Sequence, residues 1–325
     1  MNKTRKNVFA SQKFIVLLVV IALFIFFCAA SENFRQYTTV LTILDFSYYI
    51  ALMAIGVTFP LITGGVDLSI GTGLICYSLA GGYLILHKGW PTAAGIVVSI
   101  LFGIVIGLIN GLLIACMELP PFLATLCTCM ITRGLGSICS KGFGISWPAA
   151  GAPGGWFRNI FKITLANGTK LPLGFLWIIL LVIIMAFVLN HTKIGRYTIA
   201  IGSNKEAAVL SGINVKFYHV MAYVISGLFA GLASIAYSAI FPTVQPGSGA
   251  GFELEAIGGA IIGGVSATGG AGSIEGTLIG VFVICLLKTG LPYIGLQANW
   301  QQIITGVVLI AAVLVDIIKK RRAAK

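Results

Sequence analysis

Charge is what this sequence has least of. Only 9% of its 325 residues are charged, with 9 acidic side chains against 21 basic ones, whereas soluble domains carry about 25% charge. An ordinary water-facing surface cannot be built from so few charges. Histidine occurs 3 times, and His87, His191 and His219 all fall at the ends of apolar runs or in connections, so no buried base is offered to a serine nucleophile. No Gly-Lys dipeptide occurs, which excludes a Walker A loop and ATP binding of that kind. A Gly-x-Gly-Asp aspartyl motif is missing too, since the chain before Asp67 reads Gly64-Gly65-Val66. The 7 cysteines are scattered, and Cys127 and Cys129 lack zinc-type spacing and histidine neighbours, so they read as small hydrophobes. No catalytic, cofactor-binding or metal-ligating set emerges, and the chain reads as a non-enzyme.

What is present is apolar. Hydrophobic residues make up 58% of the chain, glycine contributes 41 positions, and the mean hydropathy is +1.01. Runs long enough to cross roughly 30 Å of hydrocarbon recur from end to end. The expected architecture is an all-α integral membrane protein, with one transmembrane domain over 1–325 and about ten spans. These are placed near 14–30, 40–63, 69–87, 91–116, 121–139, 173–189, 217–240, 253–270, 274–292 and 298–316. Gly-rich breaks interrupt 40–63/69–87 and 253–270/274–292, and Pro120-Pro121 opens another irregular segment. The first run, Phe14 to Ala30, ends in a "CAAS" that could pass for a cleavage site, but the spans after it favour an uncleaved anchor. Cys28 lacks the small preceding residue of a lipoprotein site.

The formal net charge of +12 is a topological signal rather than a nucleic-acid footprint. Basic residues collect on the cytoplasmic side of membrane proteins. Ten spans put Lys3, Arg5, Lys6 and Lys13 on that side together with Lys319, Lys320, Arg321, Arg322 and Lys325. The loop 190–216, with Lys193, Arg196, Lys205 and Lys216, joins them. The connection 140–172 is then external, although Lys141, Arg158, Lys162 and Lys170 work against the rule. Asn167-Gly168-Thr169 fits a glycosylation sequon, and a motif so short arises readily by chance.

Within 190–216 the phrase "IGSNKEAAVLSGIN" (201–214) interrupts the apolar pattern with a short helix signal. Ser203 can accept from the Glu206 amide while Glu206 reaches back, a capping box. Lys205 through Ser211 form the helix, and Gly212 supplies the left-handed stop. A helix of about two turns is unstable alone. It is either a linker on the protein's own cytoplasmic face or a docking element for a soluble partner.

Five phrases, "ITGGVDLSIG" at 62–71, "PPFLATL" at 120–126, "AIGSNKEAAVLSGIN" at 200–214, "FELEAIGGAIIGG" at 252–264 and "GGAGSIEGTLIG" at 269–280, together resemble the membrane permeases of ABC monosaccharide importers, the ribose-like branch. The resemblance implies that the polar phrase is a coupling helix seated in a cytoplasmic ATPase, with Ser203, Asn204, Lys205, Glu206, Ala207, Ala208, Leu210 and Gly212 as its contact set. It further implies an ATPase with two fused nucleotide-binding domains, an extracytoplasmic sugar-binding protein, and a second permease copy as homodimer or heterodimer. The location implied is the cell inner membrane, and ribose or another pentose leads as cargo, ahead of autoinducer-type and hexose sugars. Departures from the pattern are Gly202-Ser203 where a glycine pair is common, Ala271 where a basic residue is frequent, and Glu275 beside it.

The competing function is an ion-coupled secondary sugar transporter, which would hold its ion on carboxylates at mid-membrane. Asp45, Glu253 and Glu255 are expected near external ends and Asp67, Glu118 and Asp316 near cytoplasmic ones, leaving the core nearly free of carboxylates. Arg133 and Lys288 lie deeper, where a structural pairing is expected. In the turn Gly64, Gly65, Asp67, the carboxylate is expected to cap the helix entered at Leu68, with ATPase contact as the other reading. A related turn recurs 205 residues on, where Thr63, Gly64, Gly65, Gly71 and Thr72 match Thr268, Gly269, Gly270, Gly276 and Thr277. Gly103, Gly107, Gly111, Gly227 and Gly231 allow close helix approach, within one subunit or at a dimer seam. Phe122, Thr125, Gln301 and Gln302 are the candidate groups for a sugar pathway.

Overall fold

The computed structural model describes residues 12–165 and 168–323. Lys3, Arg5, Lys6, Asn167 and Lys325 lie outside the described residues, and with them the sequon asparagine. In chain order the helices are α1 (Gln12–Ala30), α2 (Tyr37–Ile62), α3 (Ile70–Lys88), α4 (Thr92–Ala115), α5 (Pro121–Cys139), α6 (Leu173–His191), α7 (Lys193–Ser203), α8 (Lys205–Leu210), α9 (Val215–Ile240), α10 (Phe252–Ile262), α11 (Ile274–Tyr293) and α12 (Ala298–Ala323). Among the described residues, 9 helices are long and apolar enough to cross a membrane, α7, α8 and α10 being the exceptions.

The expected span 253–270 is therefore not a single helix. Its helix, α10, has 11 residues, roughly 16 Å at 1.5 Å per residue. It stops at Gly263, after which Gly264, Gly269 and Gly270 take left-handed φ of +101°, +83° and +82°. A helix cannot run through such positions.

One pole gathers what the charge pattern placed together. Lys13 at the start of α1 pairs with Glu275 at the start of α11 at 3.0 Å. The Gly270 amide donates to the Ile62 carbonyl at 2.8 Å, and Asp316 near the end of α12 accepts from Ser266 Oγ at 3.0 Å. The α7–α8 segment lies on this same pole, Ser203 Oγ donating to the Gly270 carbonyl at 3.4 Å.

The opposite pole is capped by 140–172, which contains a 3-10 turn (Gly155–Ile160) and a two-residue hairpin, β1 (Ile163–Thr164) against β2 (Lys170–Leu171). Two of the four basic residues that sit badly with an external loop, Lys162 and Arg158, have internal roles here. Lys162 pairs with Asp45 of α2 at 2.6 Å. Arg158 donates to three carbonyls, those of Pro148, Trp147 and Ala239, and burial draws its pKa below the usual guanidinium value. The loop 241–251 joins this cap through an antiparallel bridge between Ile145 and Val244.

At the centre α2, α9 and α11 are the most buried of the long helices. A close seam joins α4 to α9: a methyl added at Gly103, Gly107, Gly227 or Gly231 would strike the facing backbone. Both glycine repeats thus pack against each other within one chain.

Candidate functional site

Two regions stand out, a short helix on one pole and a polar face in the bundle. The helix is α8, and its cap differs from expectation by one residue. Ser203 is the last residue of α7, and its Oγ donates back to the Ile199 carbonyl at 2.8 Å. Asn204, extended at φ −160° and ψ 104°, takes the cap position, with its Oδ1 accepting from the Ala207 amide at 2.9 Å. The Ser203–Glu206 box does not form, because the chain leaves helical geometry only at Asn204 and Glu206 falls in the first turn of α8. There its charge still faces the positive end of the helix. Gly212 ends the segment with φ +76°.

Only one side of α8 is used by the fold. Ala208 is buried on Ile201 and Val215, while Asn204, Lys205, Glu206, Ala207, Val209 and Leu210 are exposed. Leu210 is 89% exposed, an apolar side chain displayed beside charged ones. Behind it Gly202 lies so close to the Ile62 carbonyl and the Gly270 amide that no side chain fits. Through Gly202 the end of α7, next to α8, thus packs on Ile62 at the start of one Gly-rich turn and on Gly270 of the other.

From Ile62 the chain does not cap a helix at Leu68. Residues 63–69 run unwound back into the bundle, and α3 begins only at Ile70. Asp67 is fully buried. Its Oδ1 accepts from the Ser69 amide at 3.0 Å and Ser69 Oγ at 2.6 Å, and its Oδ2 from Ser226 Oγ of α9 at 2.7 Å. Ser226 lies about 16 Å along α9 from Val215 at 1.5 Å per residue, so this carboxylate sits near mid-bundle and has no surface to offer an ATPase. Burial leaves Asp67 no direct contact with an ATPase, whereas the capping role holds in shifted form, Oδ1 satisfying the Ser69 amide ahead of α3, which starts at Ile70 rather than Leu68.

The acidic side chains of α10 are similarly deep. A methyl at Gly71, one turn above Asp67, would meet the Glu253 carboxylate and the Gly249 carbonyl. Glu255 accepts from Lys288 of α11 at 2.7 and 2.8 Å, and the same ammonium donates to Tyr49 of α2 at 3.1 Å. Tyr49 lies halfway along α2. Lys288 also stands 5.1, 5.7 and 4.8 Å from the ring centroids of Phe46, Tyr49 and Phe252. The core is thus not free of carboxylates, contrary to expectation. Sequence position placed Glu253 and Glu255 at a span end because α10 was taken for a full crossing.

The four candidate pathway residues are not brought together. Phe122 is exposed near the α8 pole. Thr125 is buried, with its hydroxyl donating to the Pro121 and Val66 carbonyls, so it is not open to a ligand. Gln301 donates to the Lys288 carbonyl at 2.8 Å, and with Gln302 it lines a cavity of about 510 Å³ between α10, α11 and α12.

Exposure separates two kinds of face. On α4 the large exposed side chains are Val97, Leu101, Val105, Leu108, Ile109 and Leu112, and α6 is similarly apolar. On α5 and α12 the exposed set includes Arg133 and Gln302 among apolar side chains such as Met130, Ile138, Ile303 and Ile310. A charge or amide at membrane depth on an outer surface does not suit lipid. Among the described residues Arg133 forms no ion pair, so the structural pairing expected of it is not found there.

Comparison with known proteins gives a consistent result. Residues 39–313 match a family model described as branched-chain amino acid transport system / permease component. The ribose import permease protein RbsC of Escherichia coli K12 is 33% identical over 324 residues, covering 96% of this chain and 95% of that protein. RbsC of Bacillus subtilis strain 168 is 35% identical over 266 residues, 82% of this chain and 80% of its own. The D-allose transport system permease protein AlsC of Escherichia coli K12 is 32% identical over 306 residues, 93% and 90% of the two chains. No solved structure matches.

Proposed function

The chain belongs to this family of multi-pass ABC importer permeases, which work with an ATPase and a substrate-binding protein, and we propose that its cargo is a monosaccharide, ribose or another pentose. The observation that carries the reading is similarity over 95% and 80% of the length of two permeases named for ribose. The family description names branched-chain amino acids, so a zwitterionic amino acid is the second cargo class. Relatives named for ribose, allose, fructose and galactose favour sugars. The chain transports and does not itself hydrolyse nucleotide. An ion-coupled carrier is set aside on family membership, since buried carboxylates no longer argue against it.

In this proposal the α8 pole is cytoplasmic and the membrane is the cell inner membrane, with 1–325 as one permease domain. The outer side of α8, formed by Asn204, Lys205, Glu206, Ala207 and Leu210, seats in an ATPase carrying two fused nucleotide-binding domains. Ser203 and Gly212 shape the ends of the helix, and Ala208 faces inward. Gly64, Gly65 and Asp67 receive the movement rather than touch the partner. A second permease copy covers α5, which accounts for Arg133 on an outer surface.

The reading is tested in vesicles holding the permease, its ATPase and its receptor. ATP-dependent uptake of labelled ribose, without uptake of leucine, is expected. Leucine uptake, or ribose accumulation without nucleotide, would overturn it. Leu210→Arg should insert normally, because Leu210 touches little of the fold, yet lose co-purification with the ATPase. Retained co-purification and uptake would remove α8 as the docking element.

A further inference from the structure

We infer that the cavity of about 510 Å³ between α10, α11 and α12 is a resting site for a neutral polyhydroxylated molecule, so that the permease recognises its cargo during passage. This rests on the sugar-permease reading and deepens it. Its polar lining consists of Glu255, Lys288, Gln301, Gln302 and Thr305, beside the ring of Phe252. The carboxylate and ammonium cancel, so no net charge attracts an ion. Amide and hydroxyl groups remain, which donate and accept, as vicinal hydroxyls require. Phe252 and Leu309 supply an apolar wall for the C–H face of a sugar ring.

Position and contrast support the choice. Lys288 lies five residues before the end of α11, and Gln301 is bonded to its carbonyl near the start of α12. The cavity therefore lies in the half of the bundle away from α8, the half nearer a receptor that releases its cargo. The crevice between α1, α2 and α11 is lined by apolar residues alone and suits an acyl chain. At the 140–172 cap the larger cavity is lined by Arg158, Lys162 and Asp45, whose charges already serve the fold. Beside α12, exposed Gln302 and half-buried Thr305 and Gln301 stand next to a half-buried ion pair. A purely structural pair, pinning α10 to α11 and α2, would not need amides facing it across an opening.

The test uses the complete importer with Thr305→Cys, following modification at that position by a water-soluble maleimide and peptide mass spectrometry. Free ribose added to the nucleotide-free complex should slow the modification severalfold, and leucine should not. Equal rates with and without ribose would overturn the inference, as would protection by leucine instead. Reaction with a lipid-soluble reagent alone would identify a lipid-filled crevice and overturn it as well. In transport, Gln302→Ala should change the rate ratio between ribose and an analogue lacking one hydroxyl by about fivefold, the worth of one hydrogen bond. A structural role would slow both sugars equally and leave the ratio unchanged, which also counts against the site. ATP-driven ribose uptake by the unaltered importer is measured in the same vesicles. If that fails the sugar reading falls, whereas uptake without protection removes the cavity alone.

Discussion

The two Gly-rich turns, 63–72 and 268–277, share a sequence signature and part ways in depth. Both bear on α10 from opposite ends: Gly71 lies against Gly249 and Glu253 at its start, Gly276 against Gly263 at its stop. Each also ends in a threonine that reaches a threonine on a neighbouring helix, Thr72 to Thr132 at 2.9 Å and Thr277 to Thr58 at 3.0 Å. The first turn, however, unwinds into the bundle around buried Asp67. The second stays at the pole under Gly202 and starts its helix with an ordinary cap, Ser273 Oγ accepting from the Gly276 amide at 3.1 Å. One turn holds the bundle together from within, and the other packs at the surface against the end of α7.

Substitutions sharpen this contrast, beginning with the buried turn. Asp67→Ala strands the hydroxyls of Ser69 and Ser226 and should lower stability by about 3 kcal/mol, read as the thermal midpoint in detergent; a loss near zero would place the turn at the surface. Gly269→Ala forces a side chain into a left-handed position against the Gly64 backbone and should cost about 2 kcal/mol. If it is tolerated, the two turns do not touch. Asn204→Ala removes the cap of α8 and should cost about 1 kcal/mol locally, seen as faster amide exchange over 205–210, with a larger loss in uptake than Ser203→Ala produces. Equal effects would return the cap to Ser203. The smallest difference is between Thr72→Val and Thr277→Val. Each should cost about 1 kcal/mol, the former slightly more, because the carbonyl that Thr72 also reaches, Cys129 at 2.9 Å, belongs to another helix, whereas Thr277 donates to Ser273 in its own first turn at 3.1 Å.

Much of the fold was legible because hydropathy is local. Nine of ten expected spans correspond to helices within a few residues, and the basic clusters that include Lys13 and Lys205 share a pole with α8. Where legibility failed, the cause was non-local. Ser203 and Asn204 are both good caps, and which one serves depends on where α7 ends, which is decided by Gly202 packing on Ile62 and Gly270. Thr125 carries a polar group without announcing that Val66 and Pro121 have taken its hydrogen bond. Gln301 and Gln302 were singled out as polar groups near a span end, but their neighbours Glu255 and Lys288, 33 residues apart in the chain, meet only after α10 stops short.

By itself the sequence determined the solvent of this protein, the number of long helices to within one, and the pole at which its basic residues collect, since each depends on summed transfer free energies over a single segment. Only the tertiary structure decided how deep each charge lies and which groups face each other. Depth depends on where a helix is interrupted, and pairing on which helices close against one another through their glycines. Neither quantity is a property of any one stretch of chain.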